Sequence, residues 1–178
     1  MKIPIEKLKA IILFFCTYTE PRFLGKVKLM KLIYFLDFMH VKRYGSPVTF
    51  DDYVNLDHGP IPSTILNLVS EVSDDFDSSK LSDVISIEKV PESDMHRIKS
   101  TRNYTRDDNR YFSKTELATL EKVCQRFGNK NTKYIEDASH EEAPWKETKF
   151  LEPIPYTLAA KDKDCLVSEK EIKLITEI

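Results

Sequence analysis

Apolar residues Ile5, Leu8, Ile12, Phe15 and Tyr18 recur at steps of three and four, the spacing that gathers side chains on one face of a helix. A first helix is therefore predicted over about 5–18. Pro4 suits its first turn, where a missing N–H costs nothing, and Pro21 forbids its continuation. The next segment differs in kind. Val27, Leu29, Met30, Leu32, Ile33, Tyr34, Phe35, Leu36, Phe38, Met39 and Val41 cover far more than one stripe, and a helix apolar nearly all round is enclosed by neighbours. It opens near Gly25 and ends at Tyr44, with Gly45 as a left-handed cap and Lys42 and Arg43 at the negative end of its dipole. It is too short, and too charged at its ends, to span a membrane. We read it as the central helix of the fold. Lys28 and Lys31 lie one turn apart and Lys42 extends the same side, which reads as a solvated edge or as a contact for an acidic partner.

Shorter periods follow. Pro47 and Asp51-Asp52 mark a loop, Tyr53–Leu56 a short strand, and Gly59-Pro60-Ile61-Pro62 a rigid extended stretch. Ile65, Leu68, Val69 and Val72 predict a third helix, and residues 73–80 a loop. Residues 84–90 and 95–101 alternate around a Pro91-Glu92-Ser93-Asp94 turn, as in a β-hairpin. Residues 102–111 are polar and expected to be exposed. Ser113 and Glu116 form a capping box before Leu117, Leu120, Val123, Cys124 and Phe127, and Gly128 ends that fourth helix. A fifth runs from Asn131 or Thr132 to about His140, limited by Pro144. Pro153 and Pro155 make a stiff connector. Ser168 and Glu171 open a last short helix, expected to dock poorly. The predicted class is mainly α with a small β component: a compact helical domain around the central apolar helix, over residues 1–150, with a C-terminal extension over 151–178.

With 178 residues, the chain has room for one substantial core. Its 27 basic and 29 acidic residues give a net charge of −2, which argues against a surface wholly devoted to nucleic acid. Cys16, Cys124 and Cys165 are far apart and odd in number, so CxxC chemistry is absent and a reducing, cytoplasmic setting is expected. Cys16 and Cys124 fall in apolar helical patterns and read as buried thiols. The run Ile11–Phe15 is too short for a membrane span and carries none of the small-residue pattern of a leader.

Among the four histidines, His40 reads as structural and His96 as exposed on the hairpin. His58 and His140 each sit beside stiff backbone, His58 before Gly59-Pro60 and His140 before Pro144-Trp145. If they converge, Asp57, His58 and His140 can bind a metal. The spacing matches no HExxH, CxxC or HxH pattern, no nucleophile elbow is present, and four glycines are too few for a phosphate loop. The alternative is a structural latch, in which a buried imidazole bridges two loops while Trp145 packs on the central helix and donates its N–H to a carbonyl. Arg97, Lys99, Arg102, Arg106 and Arg110, with Tyr104, form a basic stretch compatible with DNA such as an operator, although Asp107 and Asp108 interrupt it.

Three of these segments together resemble a known family, the Panacea domain, also called SocA-like or GepA-like in bacterial and phage proteins. Leu29-Met30-Lys31-Leu32-Ile33-Tyr34-Phe35 resembles its L-x-K-L-x-Y helix, His58-Gly59-Pro60-Ile61-Pro62 its GP-x-P turn, and His140 through Pro144-Trp145 its H-x-x-x-P-W element. The resemblance covers about residues 5–150 and leaves the chain from about Phe150 outside it. It implies an antitoxin encoded beside a toxin gene, which neutralises that toxin by direct contact, with no catalytic residue, no cofactor and no membrane association. On that reading Lys31, Tyr34, Asp57, His58, Gly59, Pro60, His140, Pro144 and Trp145 hold the scaffold or meet the partner. Phe76, Tyr104, Arg106, Arg110 and Tyr111, aromatic or arginine residues in polar segments, are the candidate partner surface. A metal-dependent or acid–base enzyme using Asp57, His58 and His140, and a DNA-binding regulator using residues 97–110, are the alternatives.

Overall fold

The computed structural model describes residues 2–177. Its helices are α1 (Ile5–Tyr18), α2 (Lys26–Tyr44), α3 (Ser63–Asp74), α4 (Lys114–Phe127), α5 (Thr132–His140), α6 (Ala143–Lys146) and α7 (Glu169–Thr176). Tight 3-10 turns cover Pro21–Phe23, Arg106–Tyr111 and Tyr156–Lys161. The strands are β1 (Tyr53–Leu56), β2 (Gly59–Pro62), β3 (Ile85–Lys89), β4 (His96–Ser100) and β5 (Pro153–Ile154). The mainly helical class with a small β component is borne out, as is the hairpin, where Ile87 pairs with Ile98 across β3 and β4. A second sheet joins pieces that the sequence offered only as a strand, an extended stretch and a connector, in the order β2-β1-β5.

α2 runs through the middle, packed by α4, α5, β2 and the 156–161 turn. Leu29, Met30, Leu32, Ile33, Tyr34, Phe35, Leu36, Phe38 and Val41 are fully buried on it. α1 lies alongside, with Leu8, Ile11, Ile12 and Phe15 facing inward. Ser113 and Asn131 cap α4 and α5, accepting from the N–H groups of Glu116 and Tyr134. Gly45 caps α2 in the left-handed region as expected. Gly128 ends α4 for another reason: it stays right-handed, and a Cβ there would lie 2.6 Å from Cys124 O and 3.0 Å from Tyr18 O. Its lack of a side chain is what lets the end of α1 approach α4.

The C-terminal stretch is part of the same core. β5 pairs with β1, and Ile154, Ala159 and Ile172 are buried with the residues of α2. α7, expected to dock poorly, fixes itself through Ile172. The Tyr156 ring stands against Phe38 and Tyr53, with centroids 5.2 and 5.8 Å away. Its hydroxyl donates to Asp51 O at 2.8 Å and stands 3.2 Å from the Asp37 carboxylate.

Asp37 ties these parts together. From the middle of α2 it accepts from the N–H groups of Val48 and Thr49 at 2.8 Å each, from the Thr49 hydroxyl and from the Tyr53 hydroxyl at 2.9 Å. Burial pushes its carboxyl above the usual range against the pull of these donors. Asp37→Ala would strand buried donors from two separate segments, a loss of about 3–5 kcal/mol in urea denaturation. An effect under 1 kcal/mol would show that these donors find other partners.

Candidate functional site

The three motif segments meet at the middle of α2. β1 and β2 join through a two-residue turn, Asp57-His58, with Leu56 opposite Gly59. Gly59 has φ +92, and a Cβ there would lie 2.7 Å from Ser139 Oγ, 2.9 Å from Lys31 Nζ and 3.0 Å from His140 Nε2. No side chain fits between the hairpin, α2 and the end of α5, and L-residues avoid that φ. Pro60, one residue on, presents its carbonyl to Lys31 Nζ at 2.7 Å. The stiff Gly-Pro corner and the His-Pro-Trp corner therefore do close on the central helix, as expected.

The lysines of α2 are not the solvated edge their spacing suggested. Lys28 and Lys31 are fully buried and Lys42 is 4% exposed. Lys28 Nζ donates to Gly128 O at 2.9 Å and Lys130 O at 2.6 Å, holding the α4–α5 turn. Desolvation lowers its pKa to about 8 and that of Lys31 to about 7, with Glu136 opposing the shift at Lys31. Lys42 sits among carboxylates, with Glu142 and Asp162 at 2.9 Å and Asp164 at 3.2 Å. Burial disfavours its charge, and Glu142 and Asp162 outweigh burial, so its pKa stands above the ordinary lysine value. Tyr34 donates to the other Glu142 oxygen at 2.9 Å. Burial raises the Glu142 pKa, and Lys42 and Tyr34 offset this only in part.

The rest of the motif behaves differently from the latch read in the sequence. The His140 and Trp145 rings stack, with centroids 4.0 Å apart and planes 18° apart. Trp145 Nε1 and His140 Nε2 are buried without a hydrogen-bond partner, so the expected indole-to-carbonyl bond is absent. Desolvation lowers the His140 pKa, with Glu136 opposing the shift and Lys31 adding to it. Pro144 is buried at the start of α6. Asp57 and His58 face solvent. His58 is 72% exposed, 3.4 Å from Glu136, so the clasp is made by Gly59 and Pro60. Among the described residues no group of three His, Cys, Asp or Glu is placed to hold a metal ion. The metal-site reading of Asp57, His58 and His140 therefore has no donor set.

The model of the family described as "Antitoxin SocA-like, Panacea domain" matches residues 29–146, well over half of the chain. The chain belongs to this family. No curated protein and no solved structure matches it. The Panacea match takes in every motif segment from Lys31 to Trp145. It leaves out α1 and the segment after Lys146, although both pack on the same core.

The candidate partner surface is only partly a surface. Phe76 is 50% exposed, but Tyr104 is 8% exposed and Tyr111 half-buried. The 102–111 segment is ordered by a Thr105–Asp108 capping box and by Arg102, whose two guanidinium nitrogens meet Asp108 at 2.7 and 2.8 Å. Arg102 and Thr105 hold the Asp108 carboxyl at about 2 against burial. Tyr104 packs on Phe14 at 5.0 Å, beside a groove of about 660 Å³ that Tyr18, Arg106, Leu117 and Glu121 also line. Of the basic stretch, Lys99 pairs with Glu88 and Arg102 with Asp108, Arg97 is half-buried, and Arg106 and Arg110 are exposed cations. No helix among the described residues is long and apolar enough to cross a membrane.

Two predictions follow from this geometry. Gly59→Ala loses roughly 1–3 kcal/mol to backbone strain, with the clash against Ser139 adding to it; an unchanged thermal midpoint would mean that the hairpin is not seated on α2. The second concerns pH. Between about pH 7 and 9 the unfolded chain holds the Lys31 and Lys28 protons that the folded chain has released, so stability rises with pH. Above about pH 9 the Cys16 and Cys124 thiols, pushed up to about 12 by burial, keep protons that the unfolded chain releases, which offsets the lysine contribution and levels the rise. Calorimetry across pH 6–10 reads the rise and its levelling, and Lys31→Met reduces the slope of the rise.

Proposed function

We propose that this chain is an antitoxin that neutralises a cognate toxin by direct protein contact. The observation that carries the proposal is the Panacea match over residues 29–146. The use made of the polar atoms along α2 supports it. Lys31, Tyr34 and Lys42 spend theirs on Pro60, Glu142 and Asp162 inside the fold. That is the arrangement of a scaffold, and we assign the chain no catalytic role and no cofactor. Partner contact then falls to exposed groups, among them Phe76, Arg106 and Arg110. Three free thiols, two of them held protonated by burial, fit a reducing cytoplasm.

The test is co-expression with the product of the adjacent reading frame. Growth arrest by that product should be relieved when this chain is present, and the two should co-purify at a fixed ratio. Equal arrest with and without the chain would end the antitoxin reading.

A further inference from the structure

The loop between α6 and β5 displays two large apolar side chains, Phe150 at 56% and Leu151 at 64% exposure. Leu151 also has φ +67, a conformation in which Cβ crowds the backbone and which glycine or asparagine takes far more readily. Neither feature serves the chain's own fold. The side chains cover no core, and a glycine at 151 would remove the strain.

The conformation is nevertheless firmly imposed. Leu151 N–H donates to Asn55 O at 2.8 Å, and Asn55 N–H to Glu152 O at 3.0 Å. The Asn55 amide reaches Trp145 O at 3.1 Å and Thr148 O at 3.0 Å. Glu152 closes the loop on itself, accepting from Lys149 N–H at 2.8 Å. The tip is thus built on β1 and tied to the last motif residue, Trp145. Strain held in this over-determined way is characteristic of binding and switching sites, and a pre-ordered apolar anchor loses little entropy on docking.

We propose that Phe150 and Leu151 are the anchors with which this chain enters a concave apolar pocket on its partner protein. The inference rests on the toxin-binding reading above and names its contact. Two exposed apolar neighbours on one loop bury most of their area only in a concave recipient. Tip against tip in a second copy, they bury far less than the area a stable dimer needs. Glu147, Lys149 and Glu152 around them are of mixed sign, the polar rim of a protein contact and a poor match to an anionic lipid surface.

The test uses the full chain and the adjacent frame's product, with affinity and melting temperature measured together. Leu151→Gly should leave the melting temperature unchanged or raise it while weakening binding at least tenfold. Phe150→Ser should weaken binding similarly without altering the melt, and Leu174→Ser, at an equally exposed leucine on α7, should change neither. Wild-type affinity in both tip variants would overturn the anchor and leave the antitoxin reading standing. A wild-type chain that does not bind that product would overturn both. Loss of self-association, or of adsorption to phosphatidylglycerol vesicles, with partner affinity intact would also overturn it and give the tip to a second copy or to lipid.

Discussion

A helix enclosed on every side cannot leave a polar atom unpaired, because each buried donor or acceptor without a partner costs on the order of 1–3 kcal/mol. α2 is such a helix, and it carries Lys28, Lys31, Tyr34, Asp37 and His40 at steps of three. Three residues turn a helix by about 300°, so each group points about 60° round from the last. Their partners therefore come from successive directions. Lys28 takes the α4–α5 turn, Lys31 the β1–β2 hairpin, and Tyr34 the start of α6. Asp37 takes the 48–53 segment and the C-terminal 3-10 turn. His40 donates through Nδ1 to Ser46 O and shares a hydrogen bond between Nε2 and the Thr115 hydroxyl of α4. Hydrophobic burial holds these pieces against α2, and the spiral of polar groups decides which piece lies where.

Lys42 completes the arrangement with a different kind of contact. One cation faces Glu142, Asp162 and Asp164, and the Lys42 carbonyl accepts from Leu166 N–H at 2.8 Å. The last part of the chain is thus attached by both the side chain and the backbone of a single α2 residue. Breaking a buried pair of this kind costs far more than the pair contributes over an apolar alternative. Such a contact serves register more than strength: the 156–176 segment has one favourable position along α2.

Much of this was legible in the residues. The three- and four-step patterns placed α1, α3 and α4, the capping boxes marked the starts of α4 and α7, a cap and Pro144 bounded α5, and apolar coverage all round identified α2 as central. The buried lysines were not legible, because a charged residue at a helix end is ordinarily solvated. Only the carbonyls of Pro60, Gly128 and Lys130, contributed from distant segments, make burial of Lys28 and Lys31 tolerable. β5 was hidden for a similar reason: two residues, Pro153 and Ile154, followed by another proline, carry no strand period, and pairing with β1 depends on tertiary placement. Tyr104 misled in the opposite sense. A tyrosine among polar neighbours looks exposed, yet the Arg102–Asp108 bridge folds the segment so that its ring lands on Phe14. Phe150 and Leu151 left a readable signal, two adjacent apolar residues in a polar loop, but the left-handed backbone that gives them meaning belongs to the folded chain.

The way polar atoms are used inside α2 constrains where recognition can reside. A group already bonded within the core can meet a partner only by giving up that bond, and the net gain is then small. Exposed groups carry a smaller penalty: Arg106 and Arg110 have exposed charges, and Phe76, Phe150 and Leu151 have uncovered apolar surface. A substitution at Lys31, Tyr34 or Lys42 therefore acts on binding through the fold. A substitution at an exposed group acts on one contact and can separate partners. That division lets one scaffold keep its interior fixed while its specificity is rewritten on the outside.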